Sequence, residues 1–319
     1  MSAPPASALH VAILGCGAAA AMNAGALRAL GVRCSFASRD AEKARRCVAR
    51  FGGREAFGSY EAALASPGVD AVLVATPPVL HAEQALAALR AGKHVVVEKP
   101  AFMRSSDFAA IEDAARAARR QALVAENYHY KPLARTLRRL IAERAVGEPL
   151  FLNVNALKLQ KTGDWRDDPA LAGGGALFEG GIHWVNIMAH LGLEVRAARG
   201  FAARSGAAER GLVAVFHYAG GAIGTLAHSW EVPSALGPLR LSNLYGREGT
   251  ITFESNGLFV GVWGRSKRVI FPGVRDLVGR RAMWQDFLAA LAGGPAAAYS
   301  LALARHDLEL VERIYASLE

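Results

Sequence analysis

Apolar runs alternate with helix-like stretches along residues 10–126. The helix-like stretches end at glycines such as Gly31, Gly52 and Gly92, which suit a left-handed C-cap. The apolar runs are HVAILG, VRCSFAS, DAVLVAT, HVVVEKP and ALVAENY. This alternation is typical of βαβ units, so it predicts an α/β domain with a doubly wound parallel sheet over residues 8–127.

The pattern changes after a helical connector at residues 132–146. Long strand-like runs then follow one another through glycine-rich turns, and AVFHYAGGAIGTLAHSW reads as a hairpin with Gly220 and Gly221 at its turn. Two helices, near Trp284 and Leu308, end the chain. We therefore expect a second domain, residues 128–319, with a large and mainly antiparallel open sheet. A chain of 319 residues also exceeds the usual size of one hydrophobic core.

Composition indicates a globular protein, because 52% of residues are hydrophobic and 20% are charged. The formal net charge of +9 raises the question of nucleic acid. The arginines are scattered through helix-like stretches, however, and the chain carries no nucleic-acid-binding motif. We expect an anionic small molecule rather than nucleic acid as the partner.

Three cysteines, Cys16, Cys34 and Cys47, lie in the first fifty residues without a C-x-x-C pair. This pattern predicts no metal site and favours a reducing compartment, which we take to be the cytoplasm. The first nine residues have neither a basic nor an apolar region, so no secretion signal is expected. No segment has eighteen uninterrupted apolar residues, so we expect no membrane contact.

A glycine-rich motif, Gly15-Cys-Gly17-Ala18-Ala-Ala20, joins the first strand to the first helix. Gly15 allows a tight turn, Gly17 lets the backbone approach a pyrophosphate, and Ala20 supplies a small residue for helix–strand contact. The helix N-terminus then faces the phosphates. The motif predicts a bound dinucleotide, and the alternative is a tight turn without a ligand.

Ser38 and Arg39 end the second strand, where an acid would bind the ribose hydroxyls of NAD. A hydroxyl followed by a guanidinium suits a 2′-phosphate, because arginine presents a planar fork to phosphate oxygens. The sequence therefore favours NADP over NAD. In the alternative interpretation Arg39 is a solvated residue at the helix entry and Asp40 only an N-cap.

Glu98-Lys99-Pro100 ends a strand at the carboxyl edge of the sheet, where open α/β sheets bind ligands. A positive nicotinamide ring and partial burial would lower the pKa of Lys99 and suit it to proton transfer. Glu98 either orients Lys99 or forms an ion pair with it. Pro100 favours a cis peptide bond.

Glu179, His183 and Asn186 have the spacing of one helix face. A carboxylate beside an imidazole raises its basicity and fixes its tautomer, as a general acid–base requires. A purely structural contact between Glu179 and His183 is the alternative.

These motifs together resemble the Gfo/Idh/MocA family of oxidoreductases. The resemblance spans nearly the whole chain and rests on GCGAAA, VATPPVLHAEQALAALRAGKHVVVEKP, ENYHYKP and DWRDDPALAGGGALFEGGIHWVN. It implies an N-terminal Rossmann domain, a lysine, Lys99, that contacts nicotinamide and substrate hydroxyl, and a histidine, His183, that exchanges the hydroxyl proton. The family usually has Asp where Glu179 stands, so the carboxylate moves by about one carbon–carbon bond. It often has Asp where this chain has Asn186, a residue that is expected to bind substrate together with Glu179 and His183.

The resemblance also implies roles for residues other than Lys99, Glu179 and His183. The segment Ala75-Thr76-Pro77, with His81 and Asn127, is expected along the cofactor, although His81 fits a structural helix-start role equally well. Tyr128, Trp165 and Arg166 are expected near the substrate, although a packing or capping role fits Trp165 and Arg166 at least as well, and Lys158 is a weaker candidate.

The leading functional hypothesis is hydride transfer between NAD(P) and a secondary alcohol or ketone of a sugar, cyclitol or similar polyol. An NAD-assisted but redox-neutral elimination or glycoside hydrolysis is an alternative, and a non-catalytic ligand-binding protein is another. An open sheet face in the second domain would favour a homodimer or homotetramer.

Overall fold

The computed structural model describes residues 9–163, 168–202, 209–233 and 239–318. They divide into two compact units. The first unit runs to Glu126 and includes Arg280–Arg305, and the second comprises Asn127–Gly279 and the chain from His306. Arg280–Arg305 was expected in the second domain. It joins the first unit because the buried Trp284 donates a hydrogen bond to Asn23, 2.7 Å away within that unit.

The first unit contains a parallel sheet that has six strands in the described residues. Its strand order is β3-β2-β1-β4-β5-β6. Strands β1 to β3 are added towards one edge of the sheet and β4 to β6 towards the other, as in a doubly wound fold. The strands are β1 (Val11–Leu14), β2 (Cys34–Ala37), β3 (Ala56–Phe57), β4 (Ala71–Val74), β5 (His94–Val97) and β6 (Ala122–Val124). The prediction of an N-terminal Rossmann-type sheet is confirmed.

Helices cover this sheet: α1 (Ala18–Ala29), α2 (Ala41–Phe51), α3 (Tyr60–Ala65), α4 (His81–Arg90), α5 (Asp107–Ala118) and α9 (Arg280–Leu291). Local sequence explains their ends. Asp40 caps α2 by accepting hydrogen bonds from Glu42 N and Lys43 N, and Gly52 ends it with φ +66°.

The second unit contains a sheet with eight strands in the described residues. The strand order is β14-β13-β12-β11-β7-β10-β9-β8, and every neighbouring pair is antiparallel except the parallel pair β7 and β10. The strands are β7 (Pro149–Leu157), β8 (Val195–Ala202), β9 (Gly211–Tyr218), β10 (Ile223–Ser229), β11 (Leu241–Gly246), β12 (Gly249–Glu254), β13 (Val260–Trp263) and β14 (Lys267–Ile270). The predicted hairpin is confirmed as β9 paired with β10.

One face of the second sheet is buried and the other is open. Along β9, Leu212, Ala214 and Phe216 are buried while Val213 and His217 are exposed, as the two-residue period of a strand requires. The helical segments of this unit are α6 (Pro132–Ala142), α7 (Pro169–Ala172), a π-helical turn (Leu177–Gly181), α8 (Ile182–Ala189) and the larger part of α10 (Leu301–Ala316). Among the described residues, no helix has the length and apolar character needed to cross a membrane.

Candidate active site

The glycine-rich loop follows β1, and glycine is required at its first position. Gly15 has φ +109°, and a Cβ there would lie 2.6 Å from the carbonyl oxygen of Ala75. Any side chain would therefore push the loop away from the end of β4. Gly15 therefore lies next to Ala75 and Thr76, in the segment predicted to lie along the cofactor.

Gly17 caps the N-terminus of α1, and a Cβ at this position would meet nothing within 4 Å. No side chain caps this helix, and its first turn carries no acidic residue. Burial, followed by a hydrogen bond with Cys47, raises the pKa of Cys16 to about 12, so its thiol stays neutral. Backbone N–H groups at an uncapped helix start suit a pyrophosphate, so the loop fits a dinucleotide. Ala18 and Ala20 lie in the first turn of the same helix.

Ser38 and Arg39 follow β2, where the ribose of a dinucleotide would lie. Ser38 is buried, and its Oγ accepts a hydrogen bond from Asp40 N at 3.2 Å. The Asp40 carboxylate is occupied with the N-terminus of α2, as the alternative interpretation of this residue expected. Arg39 is exposed and its guanidinium is near Tyr60, whose pKa is raised by burial although the guanidinium opposes this.

His81 begins α4 and is 1% exposed. Its Nε2 lies 2.8 Å from Thr76 O, and its Nδ1 lies 3.0 Å from Pro100 O and 3.1 Å from Ala101 O. Both ring nitrogens therefore contact backbone carbonyls, which supports the structural alternative over a cofactor contact. The imidazole links the Thr76-Pro77 loop to the turn after Lys99.

Glu98 follows β5 directly and fixes the start of the Lys99 turn. Its Oε2 accepts a hydrogen bond from Lys99 N at 3.1 Å, and its Oε1 accepts one from Asn23 Nδ2 at 2.5 Å. The carboxylate thus orients the Lys99 backbone. The Lys99 side chain is half-buried, and the Lys99–Pro100 peptide bond is cis as predicted.

Asn23 was missed by the sequence analysis. It lies on the buried face of α1, where it binds Glu98 and accepts the Trp284 Nε1 hydrogen bond at 2.7 Å. The one signal for it is an asparagine in an otherwise alanine-rich helical stretch, AAAAMNAGALRA, a residue type that disfavours helix interiors.

In the second unit, Glu179 and His183 lie in consecutive helical segments. Glu179 is buried in the π-helical turn, and His183 is half-buried in α8. A regular α-helix over residues 179–186 was expected, and this is wrong, because α8 begins at Ile182. A π-helical turn bonds residues five apart, so the i, i+4, i+7 spacing does not describe this face.

Tyr128 stacks on the His183 ring, with centroids 4.3 Å apart and an interplanar angle of 11°. Lys131 also lies in the N-terminal segment of the second unit, and its Nζ is 4.1 Å from the centre of the Tyr128 ring. This stack supports the prediction that Tyr128 and His183 belong to one site. It also restrains the plane of the His183 ring.

Asn186 takes a different place from the one expected. It is 1% exposed, and its Nδ2 donates to Asp307 Oδ2 at 2.7 Å. The other oxygen of Asp307 lies 2.6 Å from His190 Nε2. The amide of Asn186 therefore joins α8 to α10, and this contact does not support its predicted role in substrate binding.

His228, near the end of β10, was also missed. It is 1% exposed, and neither ring nitrogen has a hydrogen-bond partner among the described residues. Burial, then Lys158, lowers its pKa to about 3 although Glu179 opposes this, so the ring is neutral. Its Nδ1 would lie 3.3 Å from a Cβ on Gly181, so His228 packs against the π-helical turn.

The remaining predicted residues are less informative. Asn127 is buried and donates to Val278 O at 2.6 Å, so its amide fixes the start of the second unit. Trp165 and Arg166 lie outside the described residues. Within the described residues, no group of three or more histidine, cysteine, aspartate or glutamate side chains could hold a metal ion.

Comparison with protein families finds two matches along the chain. Residues 9–128 match the model of an oxidoreductase family with an NAD-binding Rossmann fold, named GFO_IDH_MocA. Residues 134–252 match the GFO/IDH/MocA C-terminal domain. The two models follow one another in the order of the two units.

Curated relatives include sugar oxidoreductases. The chain is 28% identical to a levoglucosan dehydrogenase from Pseudarthrobacter phenanthrenivorans over 72% of its own length and 64% of the relative's. It is 37% identical to a 1,5-anhydro-D-fructose reductase from Ensifer adhaerens over 50% of this chain and 49% of the relative. The chain thus spans about half to two thirds of these relatives.

Solved structures share the fold over nearly the whole chain. A levoglucosan dehydrogenase in complex with NADH and levoglucosan has a TM-score of 0.87 at 22% identity, covering 97% of this chain and 96% of the other. A 3-ketoreductase from Actinomadura kijaniata with NADP and TDP-benzene has a TM-score of 0.85 at 23% identity, covering 99% and 98%.

Proposed function

Because the chain belongs to the Gfo/Idh/MocA family of oxidoreductases, we propose that it transfers hydride between a nicotinamide cofactor and a sugar, cyclitol or related polyol. The reacting group is a secondary alcohol or its ketone. One observation carries the proposal. Glu98 accepts a hydrogen bond from Lys99 N at the carboxyl edge of the first sheet, and the Gly15–Gly17 loop follows β1 of the same sheet. The first unit therefore carries both a loop suited to a dinucleotide and a lysine with a restrained backbone.

The nicotinamide supplies or accepts the hydride when it is bound. The Gly15 turn and the start of α1 would hold the pyrophosphate of the dinucleotide. Lys99 contacts the substrate hydroxyl, whose proton leaves during oxidation and returns during reduction. His183, restrained by Tyr128, exchanges that proton, and Glu179 supports the imidazole. The proton and the hydride thus leave the alcohol by separate routes.

NADP is the preferred cofactor in this proposal. The Asp40 carboxylate is occupied with the α2 N-terminus, while Arg39, near Tyr60, is exposed and available to a phosphate. A guanidinium contributes charge-assisted hydrogen bonds to a 2′-phosphate that NAD lacks. Solved relatives with this fold contain NADH in one case and NADP in another.

The direct test is deuterium transfer. Sugars and cyclitols deuterated at each carbinol carbon are incubated with the protein and NADP⁺, and the reduced cofactor is analysed by mass spectrometry. Deuterium on the nicotinamide ring from one substrate supports the proposal. Conversion of substrate without net cofactor reduction indicates the redox-neutral alternative. Saturable sugar binding with no conversion of any panel member points to a ligand-binding protein, and the proposal is then wrong.

Self-association through the second sheet is part of the proposal. Its open face carries Phe151 on β7 and Trp263 on β13, which are 53% and 51% exposed, and Tyr245 is the register partner of Phe151. Apolar patches of this kind are typical of protein interfaces. We propose a homodimer or homotetramer, and sedimentation of wild type and Phe151→Lys tests it, because the charge should shift the protein towards monomer. A cytoplasmic location remains a prediction from the cysteine pattern.

A further inference from the structure

The second unit contains a cavity of about 820 Å³ that the proposed reaction does not use. It lies between the Asn127–Tyr130 turn, the C-terminal half of α6 and the segment after α8. The lining polar side chains are those of His129, Arg138, Arg144, His190 and Glu194.

Arg138 is the unusual member of this lining. It is half-buried, and one of its nitrogens donates to the carbonyl oxygen of His129. Its Nη1 lies 3.4 Å from His129 Nδ1 and 3.3 Å from Nε2, and because a neutral imidazole has one accepting nitrogen, at most one of these contacts is a hydrogen bond. Among the described residues no carboxylate forms an ion pair with Arg138. A guanidinium has five N–H donors, so most of its hydrogen-bonding capacity is unused here.

The acidic groups near the cavity have other partners. Glu194 lies 3.4 Å from Arg196, and Asp307 binds His190 and Asn186. Burial, then Arg138 and His190, lowers the pKa of His129 to about 3, so its ring is a neutral hydrogen-bonding group at physiological pH. The exposed Arg144 adds a second positive charge. The cavity therefore has a net positive lining.

We propose that this cavity binds a small molecule through an oxyanion group, a phosphate or a carboxylate, with Arg138 as its principal ligand. A partly buried charge is costly without a counter-charge, and arginine matches the paired oxygens of both groups. His129 and Arg144 border the same space and supply further hydrogen bonds.

The position of the cavity connects it to the proposed reaction. His129 adjoins Tyr128, which stacks on His183, and His190 ends the helix that carries His183. An occupant that moves the Asn127–Tyr130 turn moves the ring packed on His183. We therefore expect occupancy to change turnover, and this consequence rests on the proposed function whereas binding itself does not.

Titration calorimetry with inorganic phosphate and with malonate, at constant ionic strength and without sugar substrate, tests the binding. Arg138→Gln should weaken binding at least tenfold. Arg139→Gln is the matched control, because Arg139 is on the same helix but is exposed and pairs with Glu143 at 3.2 Å. It should bind like wild type. Phosphate bound at the glycine-rich loop would be insensitive to Arg138→Gln, so the contrast between the two variants separates this site from that loop. Equal losses in both variants, or unchanged binding in Arg138→Gln, would overturn the proposal.

A second variant guards against misfolding of Arg138→Gln. Ala142 lines the cavity from an exposed position on α6, so Ala142→Glu adds a carboxylate beside Arg138 with little effect on packing. It should abolish binding while the circular dichroism spectrum stays that of wild type, and undiminished binding would contradict the proposal. Preference for phosphate or for malonate identifies the group, and no saturable binding of either by wild type refutes the site. Failure of the sugar assay leaves this result unaffected.

Discussion

Replacing Asn23 by leucine should destabilise the first unit strongly, because one side chain satisfies two buried groups. Asn23 is 0% exposed, and it binds Glu98 Oε1 at 2.5 Å and Trp284 Nε1 at 2.7 Å. Leucine has a similar size but no hydrogen-bonding group. A stranded buried polar group costs about 1–3 kcal/mol and a charged one more, so we expect a loss of about 4 kcal/mol in the free energy of unfolding.

Urea denaturation followed by tryptophan fluorescence measures this loss. Met22→Leu is the control, because its side chain is 49% exposed on the same helix and the change should cost less than about 0.5 kcal/mol. Trp284→Phe removes the indole donor, so in the Asn23→Leu background it should cost about 2 kcal/mol less than in wild type.

Two outcomes would refute this reasoning. The first is a loss in Asn23→Leu as small as that in Met22→Leu. The second is simple additivity of the Asn23→Leu and Trp284→Phe effects, which would mean that the two side chains are not coupled.

Three further predictions concern single positions. Gly15→Ala should abolish NADP binding in a fluorescence titration, since its Cβ would lie 2.6 Å from Ala75 O; near-normal affinity would exclude the predicted loop contact. Arg39→Ala should weaken NADPH by up to about 3 kcal/mol and leave NADH nearly unchanged in the same titration, and equal losses would reject the 2′-phosphate role. The pKa of His228 falls from 6.5 to about 3 on folding, so the folded state binds fewer protons and stability decreases as pH falls below 6.5. His228→Phe should therefore flatten the decline of the urea midpoint between about pH 6 and pH 4, and an unchanged slope would contradict it.

Local signals predicted the features that depend on neighbouring residues. The turn at Gly15, the left-handed end of α2 at Gly52 and the β9–β10 hairpin each follow from a few adjacent residues, because backbone conformation is restricted locally. The motifs that contain Lys99 and His183 also indicated the secondary structure around them, the end of a strand for Lys99 and a helix for His183.

Features that depend on distant packing were not predictable. Asn23 and Trp284 lie 261 residues apart in sequence, and neither belongs to a motif. The Asn186 amide meets Asp307 because α8 packs near α10, and the spacing rule for one helix contains no information on its neighbours. The buried ring of His228 lacks hydrogen-bond partners in the described part of the chain because the π-helical turn at Gly181 packs against it, and the local sequence contains no information on that packing.

The central claim is that Lys99 and His183 serve one proton-transfer step, and single-turnover hydride transfer measures it most directly. The substrate identified by deuterium transfer is used with Lys99→Met, His183→Ala and the double variant, each checked for cofactor binding. We predict that each single change removes most of the rate and that the double variant is scarcely slower than the slower single one. Glu179→Gln should lie between them and wild type. Multiplying effects in the double variant, or a near-normal rate in His183→Ala, would contradict the account.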